Sequence, residues 1–144
     1  MSVAQNSSIY KFPVRVYYED TDAAGVVYYA NYFRFMERAR TEWLTAIGIE
    51  LVDLEQNDHI VFVVTRAEAN YKNAARLGDH LIVTVEPIKY ASASFTVRQR
   101  IWRDETLLVD GKIAVATLDT ARWRPTRIPD SLLTRLPPLS EASS

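Results

Sequence analysis

The chain reads as an α+β protein: one strand, one long helix, then four further strands whose sheet curls around that helix. Three observations predict this. A single helical apolar period runs from Tyr32 to Ile47, period-two alternation recurs through the second half, and turn-forming residues separate the alternating runs. The 144 residues are 48% hydrophobic, enough to fill the core of one domain.

Lys11 to Tyr18 begins with apolar and polar residues in alternation, which suits a half-buried first strand carrying Pro13 at its start or edge. Tyr32, Phe35, Met36, Ala39, Trp43, Leu44 and Ile47 then fall three and four apart, with Glu37, Arg38, Thr41, Glu42 and Thr45 between them. That is an amphipathic helix of about four turns, with Gly48 at the usual C-cap position. Leu51 to His59 is a polar bridge with room for one short helical turn. The β-branched run from Ile60 opens a long second strand that continues to Tyr71. Leu77-Gly78-Asp79 signals a turn into a third strand, His80 to Tyr90. The fourth runs from Ser92 to Trp102, and Asp104-Glu105 turns into a fifth, Leu107 to Leu118, with Gly111 as a candidate bulge. Short turns between the last four strands predict that they pair in sequence order, antiparallel. Trp123 to Ser144, with Pro125, Pro129, Pro137 and Pro138, carries no strong period and reads as a surface extension with one helical turn at Asp130 to Arg135. The predicted organisation is an N-terminal extension over residues 1–9, one domain over 10–128 and a C-terminal extension over 129–144. One helix cannot cover both faces of such a sheet, so a second copy of the chain is expected to cover the rest, as a symmetric dimer.

Composition narrows the function. Seventeen basic against 18 acidic residues leave a net charge of −1, which gives no electrostatic footprint for nucleic acid. The absence of cysteine excludes disulfides, thiolate metal ligands and cysteine nucleophiles. Met1 to Ser8 is polar, and no run of 18 apolar residues could span a bilayer, so a soluble cytoplasmic protein is expected.

The chemistry concentrates between the first strand and the helix, in Glu19-Asp20-Thr21-Asp22-Ala23-Ala24-Gly25-Val26-Val27-Tyr28-Tyr29-Ala30-Asn31. The first N–H groups of a helix lack partners within it and carry partial positive charge, so this end can hold an oxyanion. A carboxylate beside it would complete a hydrolytic site. Asp20 and Asp22 serve equally well as turn and N-cap residues on this reading alone. A calcium loop is disfavoured, because Ala24 and Asn31 stand where acidic ligands belong, and no metal is implied. Glu37 is a secondary candidate that Arg38 and Arg40 could instead engage in ion pairs. His59 and His80 are isolated, and Phe35, Met36 and Trp43 suit a core. Arg98, Arg100 and Arg103 make a basic strand face that fits either substrate phosphates or solvent.

The loop from Arg15 to Tyr32, followed by Met36-Glu37-Arg38-Ala39-Arg40-Thr41-Glu42, resembles the signature of hotdog-fold acyl-CoA thioesterases of the 4-hydroxybenzoyl-CoA thioesterase family, and within it the bacterial group associated with the Tol-Pal system. The likeness spans residues 10 to 128 and includes Tyr71, Ala75-Arg76-Leu77-Gly78-Asp79 and Ser94-Phe95. It implies a hotdog fold, a five-stranded antiparallel sheet wrapped on one central helix, in a homodimer or homotetramer with sites at subunit interfaces. It implies hydrolysis of acyl-CoA without a cofactor. Asp22 takes the place of the catalytic acid, as general base or nucleophile, and the Tyr29 backbone N–H that of the oxyanion donor. Gly25, Val27 and Asn31 are candidate substrate-site residues in the same loop. The chain departs from the pattern at Tyr29, where the Tol-Pal-associated group often has histidine, and at Ala74, where it often has proline. A backbone donor survives the first change. Some relatives place arginines at the nucleotide site where this chain has Tyr90, Ala91 and Ser92, which leaves Lys89 as the nearest cation and Ser92 as a polar contact. The alternative is a non-catalytic hotdog module that contacts acyl carrier protein or a membrane-associated complex, peripheral to the inner membrane. Dehydratases of this fold usually need a histidine in the active loop, and residues 19–31 contain none.

Overall fold

Runs of β-branched residues and stretches of apolar and polar alternation give the second half of the chain its strands, and the long helix fills the hollow they form. The computed structural model describes residues 9–139. Strand β1 (Tyr10–Arg15) leads through a 3-10 turn (Tyr18–Asp20) to helix α1 (Tyr29–Ala46) and helix α2 (Leu51–Asp58). Strands β2 (Ile60–Tyr71), β3 (His80–Tyr90), β4 (Ser94–Arg103) and β5 (Thr106–Asp119) follow, then the two-residue β6 (Arg124–Pro125) and the short helix α3 (Asp130–Leu133). The first strand is therefore shorter than the alternation predicts, because Tyr18 enters the 3-10 turn. Helix α1 begins three residues before the apolar period, since Tyr29 to Asn31 make helical backbone without adding to its stripe. The bridge after Gly48, which holds φ +93, forms eight residues of helix, and His59 ends it in a left-handed conformation at φ 57.

The sheet order is β1-β3-β4-β5-β2, every pair antiparallel, with β6 beside β5. The β3-β4-β5 meander forms as the short turns predict. Strand β2 does not pair with β3: residues 72–79 cross the end of the sheet, and Ile60–Tyr71 lies along β5 as an edge strand. Pro13 is tolerated because β1 is the other edge. Register shifts at Val64/Arg66, Pro87/Lys89 and Ile101/Trp102 bend the strands. Gly111 is not one of these bulges, for it pairs in register with both Ala69 and Gln99. Its missing side chain serves a close approach: a Cβ there would stand 3.0 Å from Met36 Cε and 3.1 Å from the Glu68 carbonyl.

Tyr32, Phe35, Met36, Ala39, Trp43 and Leu44 form the buried face of α1, set against Val83, Val85, Val97, Ile101, Ile113 and Val115 of the sheet. Each large side chain so buried contributes about 1.5–3 kcal/mol. One polar group interrupts this interface. Gln99 is fully buried, donates from Nε2 to the Met36 carbonyl at 2.9 Å, and accepts from Arg40 Nη1 at 2.9 Å. Burial lowers the Arg40 pKa, with Glu37 acting in the opposite sense.

The tail is more integrated than a surface extension, because two of its apolar residues enter the core and its polar groups bond the body of the fold. Ile128 and Leu132 are buried, Tyr90 Oη donates to the Pro137 carbonyl at 2.5 Å, and Arg135 Nη1 donates to the Gly48 carbonyl at 2.6 Å. Residues 1–8 and 140–144 of the two expected extensions lie outside the described residues. No helix among the described residues is long and apolar enough to cross a membrane.

Candidate active site

The loop between β1 and α1 is stitched to the crossing segment 72–79 rather than left free. Buried Asp20 accepts the Tyr17 N–H on Oδ2 at 2.8 Å, and its carbonyl accepts the Tyr28 N–H at 3.2 Å and Asn31 Nδ2 at 3.0 Å. Asp20 is thus structural. Asn31, expected as a substrate contact, turns its amide into the protein and pins the loop to the helix start. Gly25 donates to the Asp22 carbonyl at 3.0 Å in a conformation with φ +80, which strains any other residue. Its role is the turn. Val27 is buried and donates to the Ala75 carbonyl at 2.9 Å, and Leu77 donates to the Gly25 carbonyl at 3.2 Å.

This frame presents Asp22 and the start of α1 to one cleft. Asp22, Val26, Val27, Tyr28, Tyr29 and Tyr32 of the loop and helix start, together with Tyr71, Lys72, Asn73 and Ala74, line a volume of about 420 Å³. Asp22 Oδ1 accepts the Ala24 N–H at 2.9 Å and the Val26 N–H at 3.4 Å. Those bonds fix the carboxylate's orientation, and among the described residues Oδ2 takes none. Tyr29 is the first residue of α1, so its N–H has no acceptor one turn back in the helix. Its ring stacks on Tyr71 with centroids 4.7 Å apart, and Tyr71 lies 5.6 Å from Tyr32. Tyr32 Oη accepts the Ala75 N–H at 3.0 Å, and burial raises the pKa of both Tyr32 and Tyr71. Tyr32 and Tyr71 are therefore neutral at physiological pH.

The structure brings Asp22, Val27 and Tyr29 together and leaves two expected contacts elsewhere. Lys89 is at the far end of β3 from the loop, pairing with Thr96, and the Ser92 carbonyl accepts the Ile128 N–H at 2.8 Å. Neither lines the cleft of its own chain, because β3 carries them the length of the sheet away. The basic strand face is committed too. Arg98 holds Asp110 through two bonds of 3.0 and 3.1 Å, Arg100 lies 3.5 Å from Asp110 and 3.9 Å from Glu86, and Arg103 donates to Asp79 at 2.9 Å. Sequence reading missed Lys72 and Asn73 as cleft residues, since a crossing segment has no period to mark its facing side chains. Among the described residues, no three of His, Asp and Glu cluster as metal ligands do.

A curled antiparallel sheet around one central helix defines a hotdog fold. The Thioesterase-like superfamily matches residues 16–136. The chain is 40% identical over 120 residues to the acyl-CoA thioesterase YbgC of Haemophilus influenzae, covering 83% of this chain and 88% of that one. It is 39% identical over 129 residues to the acyl-CoA thioester hydrolase YbgC of Escherichia coli O6:H1, covering 89% and 96%. The crystal structure of a probable thioesterase from Bartonella henselae superposes with a TM-score of 0.80 at 32% identity, over 84% of this chain and 99% of that one. The chain belongs to the Thioesterase-like superfamily.

Proposed function

We propose that this cleft hydrolyses acyl-CoA to the free acid and CoA. The relatives of about 40% identity are acyl-CoA thioesterases over nearly their whole length, and the chemistry of the loop supports the same reaction. A thioester carbonyl is poorly delocalised and its thiolate leaves readily, so the reaction needs an activated attacker and an oxyanion donor more than a strong acid. Asp22 takes the proton of a water that attacks the carbonyl, or attacks directly to give a mixed anhydride that water then opens. The Tyr29 N–H receives the developing oxyanion, which returns its electrons as the C–S bond breaks and the thiolate departs. The single observation that carries this reading is the shared cleft of Asp22 and the first residue of α1.

The decisive test compares Asp22→Asn with Asp22→Ala in thiol release from a panel of short, long and aromatic acyl-CoAs. Asparagine retains an oxygen for the Ala24 and Val26 N–H groups, so a purely structural Asp22 would leave Asp22→Asn active. Loss of a catalytic base lowers kcat in both variants by ~10²-fold or more. The competing reading is a non-catalytic module that binds acyl carrier protein or a membrane-associated complex, and wild-type protein with no turnover on the whole panel would favour it.

Assembly follows from the uncovered edge. Strand β2 has one free side, and Val64 and Tyr71 on it are 48% and 40% exposed. A homodimer that joins these edges, alone or paired into a tetramer, covers them and can bring Lys89 and Ser92 of a second copy toward the substrate. The site of action in this reading is the cytoplasm, with a peripheral place at the inner membrane as its narrower form.

A further inference from the structure

The cleft is lined by one carboxylate, Asp22, and one amine, Lys72, and only the first has a role in the proposed hydrolysis. Lys72 belongs to a segment whose backbone is fixed from both sides. Its own N–H donates to the Leu108 carbonyl at 2.8 Å, Asn73 Nδ2 donates to the Leu107 carbonyl at 3.0 Å, and Arg103 Nη1 donates to the Ala74 carbonyl at 3.1 Å. The chain thus spends main-chain and side-chain bonds to hold this wall in place, while the Lys72 ammonium makes no ion pair among the described residues. The arginines of β4 differ: Arg98, Arg100 and Arg103 are all paired with carboxylates. Acyl-CoA is strongly anionic, and the exposed Lys72 ammonium can form charge-assisted bonds with it that neutral donors cannot match.

Resting on the thioesterase reading, we propose that Lys72 is a substrate-recognition residue that binds an anionic oxygen of the thioester substrate in the cleft it shares with Asp22. That oxygen comes from one of two sources, a phosphate of CoA or a distal carboxylate on the acyl group. The segment's rigid backbone makes the contact selective, because the lysine stem moves and its base does not. The contact contributes to binding rather than to the chemical step, so it acts on KM.

Four substrates separate the sources: glutaryl and pentanoyl thioesters, each on CoA and on N-acetylcysteamine, which lacks phosphates. Wild type, Lys72→Met and Lys72→Arg are compared at low salt, where such a contact is least screened. Lys72→Met is expected to raise KM roughly tenfold, with kcat nearly unchanged, and Lys72→Arg to restore it. A phosphate contact confines the loss to the two CoA esters. A distal carboxylate contact confines it to the two glutaryl esters. Unchanged KM on all four, or an equal loss of kcat on all four with a lowered melting temperature, overturns the assignment. If wild type hydrolyses none of them, the thioesterase reading fails instead. Calorimetric binding of CoA and of glutarate to wild type and Lys72→Met then decides the anion contact by itself.

Discussion

Tyr29→Pro isolates the proposed oxyanion donor. Tyr29 is the first residue of α1, and Tyr28 before it holds φ −67 and ψ 139, the extended conformation that a residue preceding proline requires. Proline is well suited to a first helical position, where φ near −65° is already needed and the N–H has no partner in the helix. The substitution therefore deletes one N–H group and one ring. Tyr29→Ala deletes the ring alone, including its 4.7 Å stack on Tyr71, and serves as the control. Removing one preorganised oxyanion donor lowers kcat by about 10²–10³, or about 2.7–4 kcal/mol of barrier. Thiol release measured with a chromogenic thiol reagent gives kcat and KM, and circular dichroism confirms the helix. Tyr29→Pro is expected to fall at least a hundredfold below Tyr29→Ala while melting within about 4 °C of it, the shift that ~1 kcal/mol produces in a domain of this size. Equal kcat in the two variants would refute the assignment of this amide.

Three further outcomes follow from the fold and the loop. Asn31→Asp sets a carboxylate oxygen against the Asp20 carbonyl that the Asn31 amide now bonds at 3.0 Å; kcat should fall more than in Asn31→Ala, which loses about 1 kcal/mol of hydrogen bond without adding repulsion. Gly111→Ala pushes a methyl against Met36 Cε and the Glu68 carbonyl, and urea titration should find it about 1–2 kcal/mol less stable, the overpacking exceeding alanine's entropic gain over glycine. Asp79 is the acid-sensitive group beside the cleft: burial works to raise its pKa, but the Arg76 N–H and the Arg103 guanidinium prevail and hold it below the usual carboxylate range. A lowered folded pKa contributes stability that is complete above the unfolded value near ~4 and disappears as pH falls through the folded one. The melting temperature should therefore decline below about pH 4, and Asp79→Asn should show a lower plateau at pH 7 and a shallower acid decline.

Much of the fold was legible because its signals are local. The period from Tyr32 to Ile47 needs only one covered face, and the alternation in β3, β4 and β5 needs only one buried side, so each element announces itself within its own span. Pairing is different. That β2 leaves β3 and joins β5 depends on where residues 72–79 go, and nothing within Ile60–Tyr71 records its neighbour. Gly111 illustrates the same limit, since a glycine in a strand signals either a bulge or a close approach, and only the position of Met36 decides between them.

The candidate site divides along the same line. Asp22, Gly25, Val27 and Tyr29 sit in one contiguous loop, so the resemblance and the helix start could point to them together. The other lining residues, Tyr71 to Ala74, come to that loop through contacts such as the Tyr29–Tyr71 stack and the Val26–Arg76 and Val27–Ala75 pairings, which join residues more than forty apart in the chain. The arginines of β4 show why charge alone misleads: a strand with Arg98 and Arg100 looks free to bind phosphate until β5 supplies Asp110 between them. A cation is available to a substrate only where the fold leaves it without a carboxylate, and availability is a property of strand register. The register of β4 on β5 places Asp110 against Arg98 and Arg100, while the bond from the Lys72 N–H to the Leu108 carbonyl of β5 holds Lys72 in the segment that lines the cleft.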